Sequence, residues 1–352
     1  MPTPLDIAGR LIGPGHPPYV IAELSGNHNG DIERALRILE AAKACGADAV
    51  KLQTYTPDTM TIDCAGPDFT VRGGLWDGYT LYQLYEKAHT PWDWHERLFS
   101  RGRELGLTVF STPFDPSAVD FLERFSPPAY KIASFELVDL PLIRRVARTG
   151  KPIILSTGMA DLEEISDAVR AARESGCANL ALLHCVSAYP AAAEEFRLGT
   201  LQDLARRFDV VTGISDHTLG IAVAVAAVAL GAGIVEKHFT LSRADGGVDS
   251  AFSLEPAELA QLTRDARTAF AARAGARESY RRVRTEEPNL VFRRSIYAVR
   301  DIQAGEPLTT ENIRIIRPGY GLPPKEWDHV LGKRAACFIA RGTGLQKTLI
   351  AD

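Results

Sequence analysis

Cysteine is scarce in this chain: there are five in 352 residues, at positions 45, 64, 177, 185 and 337, with no C-x-x-C pair among them. That spacing excludes a zinc ribbon or a thioredoxin-type motif, and an odd count in so long a chain points to a reducing compartment without structural disulfides. Charge of one sign is also missing. Forty Lys and Arg stand against 44 Asp and Glu, a net charge of −4, so no broad positive field is available to hold a nucleic acid backbone. The longest apolar run, IAVAVAAVALGAGIV at 221–235, is too short and too rich in Ala and Gly to span a bilayer. The first residues, MPTPLDIAGRLIGPGHPPYV, lack a charged start followed by an apolar stretch, so no secretory signal is expected. No G-x-G-x-x-G follows the first apolar segment, which argues against an open dinucleotide-binding sheet. The expectation is a soluble cytoplasmic protein that binds neither nucleic acid nor membrane.

What the sequence does have is alternation. Eight short runs rich in Val, Ile and Leu recur: YVIAELS (19–25), AVKLQTY (49–55), TVFSTPF (108–114), AYKIASF (129–135), PIILSTGM (152–159), LALLHCV (180–186), VVTGISD (210–216) and GIVEKHFT (233–240). Between them lie segments such as IERALRILEAAKACG and DLEEISDAVRAARESG, with apolar residues at helical spacing and a closing Gly. Strand–helix alternation predicts parallel strands, because each return crossover needs a helix. Eight such units fit a (β/α)8 barrel, for which about 250 residues is typical. A long insertion at 56–90 follows the second strand, and arginines cluster at 271–289, where apolar periodicity lapses and a solvated linker is expected. Short strands and turns follow, with IQAGEPL (302–308) echoed by IARGTGL (339–345). The predicted organisation is a barrel over 1–285 and a small β-rich domain over 286–352.

In a barrel of this kind, reactive side chains sit where the strands end. Those ends supply Glu23, Lys51 with Gln53, Thr112, Lys131 with Ser134 and Glu136, Ser156, Ser187 with Tyr189, Ser215 to His217, and Glu236 to His238. Together they describe a polar basin. His217 and His238 each end a strand, one β/α unit apart, and adjacent strands are about 4.8 Å apart. They are either ligands of one divalent cation or a hydrogen-bonded pair. Lys51 and Lys131 suit Schiff-base chemistry, neutralisation of an anion, or a salt bridge to a carboxylate such as Glu23. With the serines and Thr112, the set favours a phosphate or carboxylate. Glu136 is the best-placed general base and Glu23 the second choice. His184 reads as a buried, satisfied histidine, and His28 either faces the basin or helps an Asn/Gly turn.

Taken in order, SGNHNGD, VKLQTYTPDTM, FSTPFD, YKIASFE, ILSTGM, HCVSAYP, GISDHT, EKHFTL and RPGYGLPP resemble the sialic acid synthases, a family of phosphoenolpyruvate-condensing enzymes. Within it, ELSGNHNG, LYEKAHTPWDWH, KIASFELVDLPLI and HFTLSRADGGVDSAFSLEP are more similar to the pseudaminate-forming branch than to the neuraminate-forming one. The neuraminate branch more typically carries Asn where HCVSAYP has Ser187. The resemblance implies a TIM barrel followed by an antifreeze-like SAF domain, with phosphoenolpyruvate and an N-acetylated amino sugar as substrates. It further implies a divalent cation, manganese or magnesium, on His217 and His238, with Glu136 activating water. By the same resemblance Lys51, Thr112, Lys131, Ser134, Ser156, Ser187 and Ser215 bind phosphoenolpyruvate. Glu23, Gln53, Tyr189 and Asp249 face the sugar, and Arg317 reaches it from the partner in a domain-swapped homodimer. The competing readings are a neuraminate or legionaminate synthase of the same chemistry, a metal-independent Schiff-base aldolase using Lys131 or Lys51, and a non-catalytic glycan- or ice-binding module.

Overall fold

The computed structural model describes residues 2–274 and 280–351. They form two compact units, Met1–Ala276 and Arg277–Asp352. The first opens with an antiparallel hairpin, β1 (Leu5–Ile7) and β2 (Arg10–Ile12). Eight parallel strands follow: β3 (Tyr19–Glu23), β4 (Ala49–Thr54), β5 (Thr108–Pro113), β6 (Tyr130–Ile132), β7 (Ile153–Ser156), β8 (Leu180–Cys185), β9 (Val211–Ser215) and β10 (Ile234–His238). Each pairs with the next, and β10 closes the barrel on β3, with Ile234 opposite Tyr19 and His238 opposite Glu23. These are the eight apolar runs of the sequence.

Side chains alternate along a strand, so every second residue points into the barrel. At the N-terminal ends the inward residues are apolar. Tyr19, Ile21, Ala49, Phe110, Ile154, Leu183, Val211 and Ile234 form one buried cluster with Leu5, Ile7 and Ile12 of the hairpin. The hairpin thus closes the floor of the barrel and keeps that layer dry. The outward residues pack in a second, larger cluster against the helices. In the helix Ile32–Ala44, Asp31 caps the N-terminus by accepting from the Glu33 N–H, and Ala35, Ile38, Leu39 and Ala42 form its buried stripe. The helix Leu162–Glu174 starts with a reciprocal Asp161–Glu164 capping box. Both helices lie within the segments predicted for them.

The arginine-rich stretch is solvated where it is described: residues 280–289 are all exposed. The helix Pro256–Ala274, anchored by its buried Leu259, Leu262 and Ala266, runs into the start of it; residues 275–279 of that stretch lie outside the described residues. The second unit matches the echo seen in the sequence. Its strands β11 (Ser295–Ala298) and β12 (Ile313–Ile316) are antiparallel. Ile302 and Ile339 exchange backbone hydrogen bonds of 2.9 Å, and the N–H groups of Gly305 and Gly342 donate to Ala335 and Ala298 respectively, each at 2.8 Å. Both glycines have positive φ, +79° and +87°, and Leu308 and Leu345 are both fully buried. The two I-x-x-G-x-x-L segments are therefore equivalent halves of one core, with Gly required at the left-handed turn of each.

Candidate active site

Above the apolar floor the inward positions turn polar. Glu23, Lys51, Gln53, Thr112, Lys131, Ser156, Cys185, Ser215, Glu236 and His238 share the inward face of their strands. Lys51 Nζ lies 2.8 Å from Glu23 Oε2 and donates to Thr112 Oγ1 at 3.0 Å. Lys131 Nζ donates to Ser156 Oγ at 2.6 Å. Between the two lysines sits Glu236, with Oε1 3.7 Å from Lys51 and 3.8 Å from Lys131, accepting from Ser215 Oγ at 3.2 Å.

All four charged groups are buried, and burial opposes charge on each of them. Their neighbours then decide the outcome. Burial lowers the Lys51 ammonium, but Glu23 and Glu236 outweigh it and leave the group raised. Burial keeps Lys131 below its ordinary range despite Glu236. Burial also raises Glu23, against Lys51. At Glu236 the effect of burial is overcome by Lys131 and Lys51, so this carboxyl is lowered. The result is two fixed ammonium groups ringed by hydroxyls, with one deeply held carboxylate between them.

Ser134 and Ser187 extend the ring on the loops after β6 and β8. The Gly158 N–H donates to Ser134 Oγ at 3.1 Å. A Cβ at Gly158 would stand 2.7 Å from that oxygen and collide with Ser187 Oγ, so glycine lets the two hydroxyls converge. Glu136, on the same loop as Ser134, has a buried Oε2 with no hydrogen-bond partner. Burial pushes its carboxyl up to about 7, near the range a general base needs at neutral pH.

His217 and His238 do converge: their ring centroids are 5.4 Å apart. Val186 O lies 3.0 Å from His217 Nδ1, which makes Nδ1 the protonated nitrogen and turns the Nε2 lone pair away from the backbone. His238 is buried, and its Nδ1 has no hydrogen-bond partner. Burial, then His217 and the nearby lysines, hold its pKa well below the usual imidazole range. A neutral ring with an orphaned nitrogen beside an anchored imidazole fits a divalent cation. Among the described residues no group of three or more His, Cys, Asp and Glu forms a complete cage, so these two would leave most coordination positions to water and substrate.

The Tyr189 ring lies 4.4 Å from that of His217, tilted by 43°, and Trp76, from the long insertion, lies 5.6 Å from Tyr189. Asp249 Oδ2 is 3.8 Å from His238 Nδ1 and accepts from Ser25 Oγ; Gln53 Nε2 donates to both Glu23 (2.9 Å) and Ser25 (3.0 Å). Glu23, Gln53, Tyr189 and Asp249 therefore gather on the histidine side of the basin. His184 is half-buried and its Nε2 contacts Phe196 O; His28 Nδ1 accepts from the Gly30 N–H at 3.0 Å within the turn, while its buried Nε2 has no hydrogen-bond partner. Arg317 belongs to the second unit, just beyond β12, and is exposed.

Sequence reasoning left three residues without a role. Glu236 and Lys237 stand beside His238 at the end of β10, and alternation separates them. Glu236 points inward, while Lys237 points outward and binds Asp216 (3.0 Å) and the carbonyls of Thr218 and Gly220, tying down the segment that carries His217. Arg34, on the first helix, donates to Asn27 O (2.8 Å), Asp245 (2.6 Å) and Thr240 (3.2 Å), fastening the loop that carries Asp249.

Family comparisons settle what such a basin belongs to. The model of the NeuB family matches residues 38–278, and that of the SAF domain matches residues 293–351. The chain belongs to the NeuB family. It is thereby a phosphoenolpyruvate-dependent nonulosonic acid synthase, of a family whose substrates are phosphoenolpyruvate and an amino sugar and whose enzymes are generally metal-dependent. It is 44% identical to the pseudaminic acid synthase of Helicobacter pylori over 94% of this chain and 96% of that one. It is 35% identical to the N,N'-diacetyllegionaminic acid synthase of Legionella pneumophila over 93% of each. The crystal structure of the spore coat polysaccharide biosynthesis protein SpsE from Bacillus subtilis matches with a TM-score of 0.68 at 33% identity, covering 99% of both chains. No helix among the described residues is long and apolar enough to cross a membrane.

Proposed function

We propose that this NeuB-family synthase makes pseudaminic acid, condensing phosphoenolpyruvate with 2,4-diacetamido-2,4,6-trideoxy-altrose and water and releasing phosphate. The observation that carries the choice of sugar is the identity gradient: 44% to a pseudaminic acid synthase against 35% to a legionaminic one, over near-equal shares of the chain. The stretch HFTLSRADGGVDSAFSLEP, which bears Asp249, points the same way.

In this reading Lys51, Thr112, Lys131, Ser134, Ser156, Ser187 and Ser215 hold the phosphate and carboxylate, cations and neutral donors sharing the charge. Glu23, Gln53, Tyr189 and Asp249 orient the sugar so that its aldehyde carbon meets C3 of phosphoenolpyruvate. His217 and His238 would hold a manganese or magnesium ion, which when bound polarises the aldehyde as a Lewis acid. The new C–C bond uses the enol double bond and leaves C2 electron-deficient. Glu136 takes a proton from the water that adds to C2; that proton passes to the alkoxide left on the former aldehyde oxygen, and the second water proton leaves with the phosphate. The bond between C2 and the phosphoryl oxygen then breaks, expelling inorganic phosphate and leaving the keto acid.

A domain-swapped homodimer completes the proposal, with the second unit of one chain over the barrel mouth of the other and Arg317 on the sugar's N-acetyl group. Two features support it. Phe135, Val138, Met159 and Leu219, on loops after β6, β7 and β9, are all more than half exposed around the mouth, an apolar rim that a second copy would cover. Residues 277–352 hold 14 basic and 9 acidic side chains, leaving 26 basic and 35 acidic in the barrel, so the two surfaces are complementary in charge.

A substrate panel tests the sugar. Phosphate release should show kcat/KM for the altrose derivative at least about a hundredfold above N-acetylmannosamine and the legionaminate precursor, as a site built for specific polar groups discriminates. Preference for either of the others would overturn the assignment.

A further inference from the structure

Glu236 has no part in the steps above, yet it occupies the centre of the anion pocket. Its Oε1 faces both ammonium groups, at 3.7 Å from Lys51 and 3.8 Å from Lys131. Its Oε2 is buried and has no hydrogen-bond partner. Ser215 holds the carboxylate in place.

A first thought is that Glu236 merely positions the lysines. The geometry argues otherwise, because each lysine has its own anchors. Lys51 is held by Glu23 at 2.8 Å and Thr112 at 3.0 Å, and Lys131 by Ser156 at 2.6 Å and Ile132 O at 3.3 Å. Both Glu236 contacts are longer than any of these. A carboxylate also offers no proton to a phosphoryl oxygen, so its charge repels a phosphate bound at the same lysines.

We propose that Glu236 is the pocket's built-in counter-anion: it balances Lys51 and Lys131 in the free enzyme and weakens their hold on the phosphoryl group, so that inorganic phosphate can leave. This rests on the reading that phosphate binds at those two lysines. Without Glu236, Lys131 would face no carboxylate at salt-bridge distance and Lys51 only Glu23, and the pair would grip phosphate more strongly, since ion pairs strengthen as water is excluded. A tightly held product slows turnover. A fixed negative charge lowers the affinity for substrate and product alike, and it leaves the C–C and C–O bond changes untouched.

The test compares Glu236→Gln and Glu236→Asp with the wild-type enzyme. Steady-state assays with the preferred sugar and saturating divalent metal would give KM for phosphoenolpyruvate and the inhibition constant of inorganic phosphate. Glu236→Gln keeps the shape and the Ser215 hydrogen bond and loses only the charge. Both constants should fall by roughly tenfold or more, and kcat should fall with them; Glu236→Asp should stay near wild type. A rise in both constants for Glu236→Gln, or an equal shift for Glu236→Asp, would overturn the proposal. Lys131→Met is the control. If it leaves both constants unchanged, phosphate does not bind there and the underlying reading falls as well. If it raises them while Glu236→Gln also raises them, only the counter-anion role falls. Should Glu236→Gln not fold, a crystal structure of the wild-type enzyme with phosphate decides: the Glu236–lysine distances should lengthen beyond 4 Å, and unchanged distances would contradict the role.

Discussion

His217→Ala and His238→Ala should each lower kcat by about a thousandfold or more, the scale at which a preorganised electrophile acts on a developing oxyanion. Each removes one of only two imidazoles that meet in the basin, 5.4 Å apart. The paired readout is binding of manganese by calorimetry. Wild type should bind one ion per chain, both variants should lose that binding, and exhaustive chelation of the wild type should reproduce the loss of activity. Either variant retaining near-wild-type turnover would remove its histidine from the site.

Glu136→Gln should cost about 10²–10⁴ in kcat, the usual contribution of a general base. The pH dependence gives the sign. Burial raises the Glu136 carboxyl to about 7, with Asp139 adding to the shift and Lys131 and Lys51 opposing it. Below that pH the group carries its proton and cannot accept one from water, and above it the base is ready. The kcat of the wild type should therefore rise through a single limb near pH 7 and level off, while the residual rate of Glu136→Gln should lack that limb. A wild-type profile flat from pH 5.5 to 8.5 would argue that Glu136 is not the base.

The sequence and the structure meet most closely where periodicity is simple. Eight apolar runs became eight strands, since a buried parallel strand needs a continuous apolar segment and each crossover a helix. The paired histidines met because they end neighbouring strands at nearly one level. Glu236 shows what was readable and went unread: it has the same parity as His238, so strand alternation alone sends it inward and Lys237 outward. Arg34 was harder. It sits in an ordinary amphipathic helix, and its importance comes from Asp245 and Thr240, more than 200 residues away in sequence. Trp76 lies in a Gly-rich turn of the insertion, between its helices, so only the folded chain brings it to Tyr189.

The fate of one oxygen tests the central claim most directly. Phosphoenolpyruvate labelled with ¹⁸O between C2 and phosphorus should be incubated with the enzyme, the altrose derivative and manganese. The mechanism proposed at Glu136 and the two lysines breaks the C2–O bond, so the label should appear in inorganic phosphate, one per acid formed and none without the sugar. Label retained in the acid, or a borohydride-trapped adduct on Lys131 with no phosphate released, would contradict it.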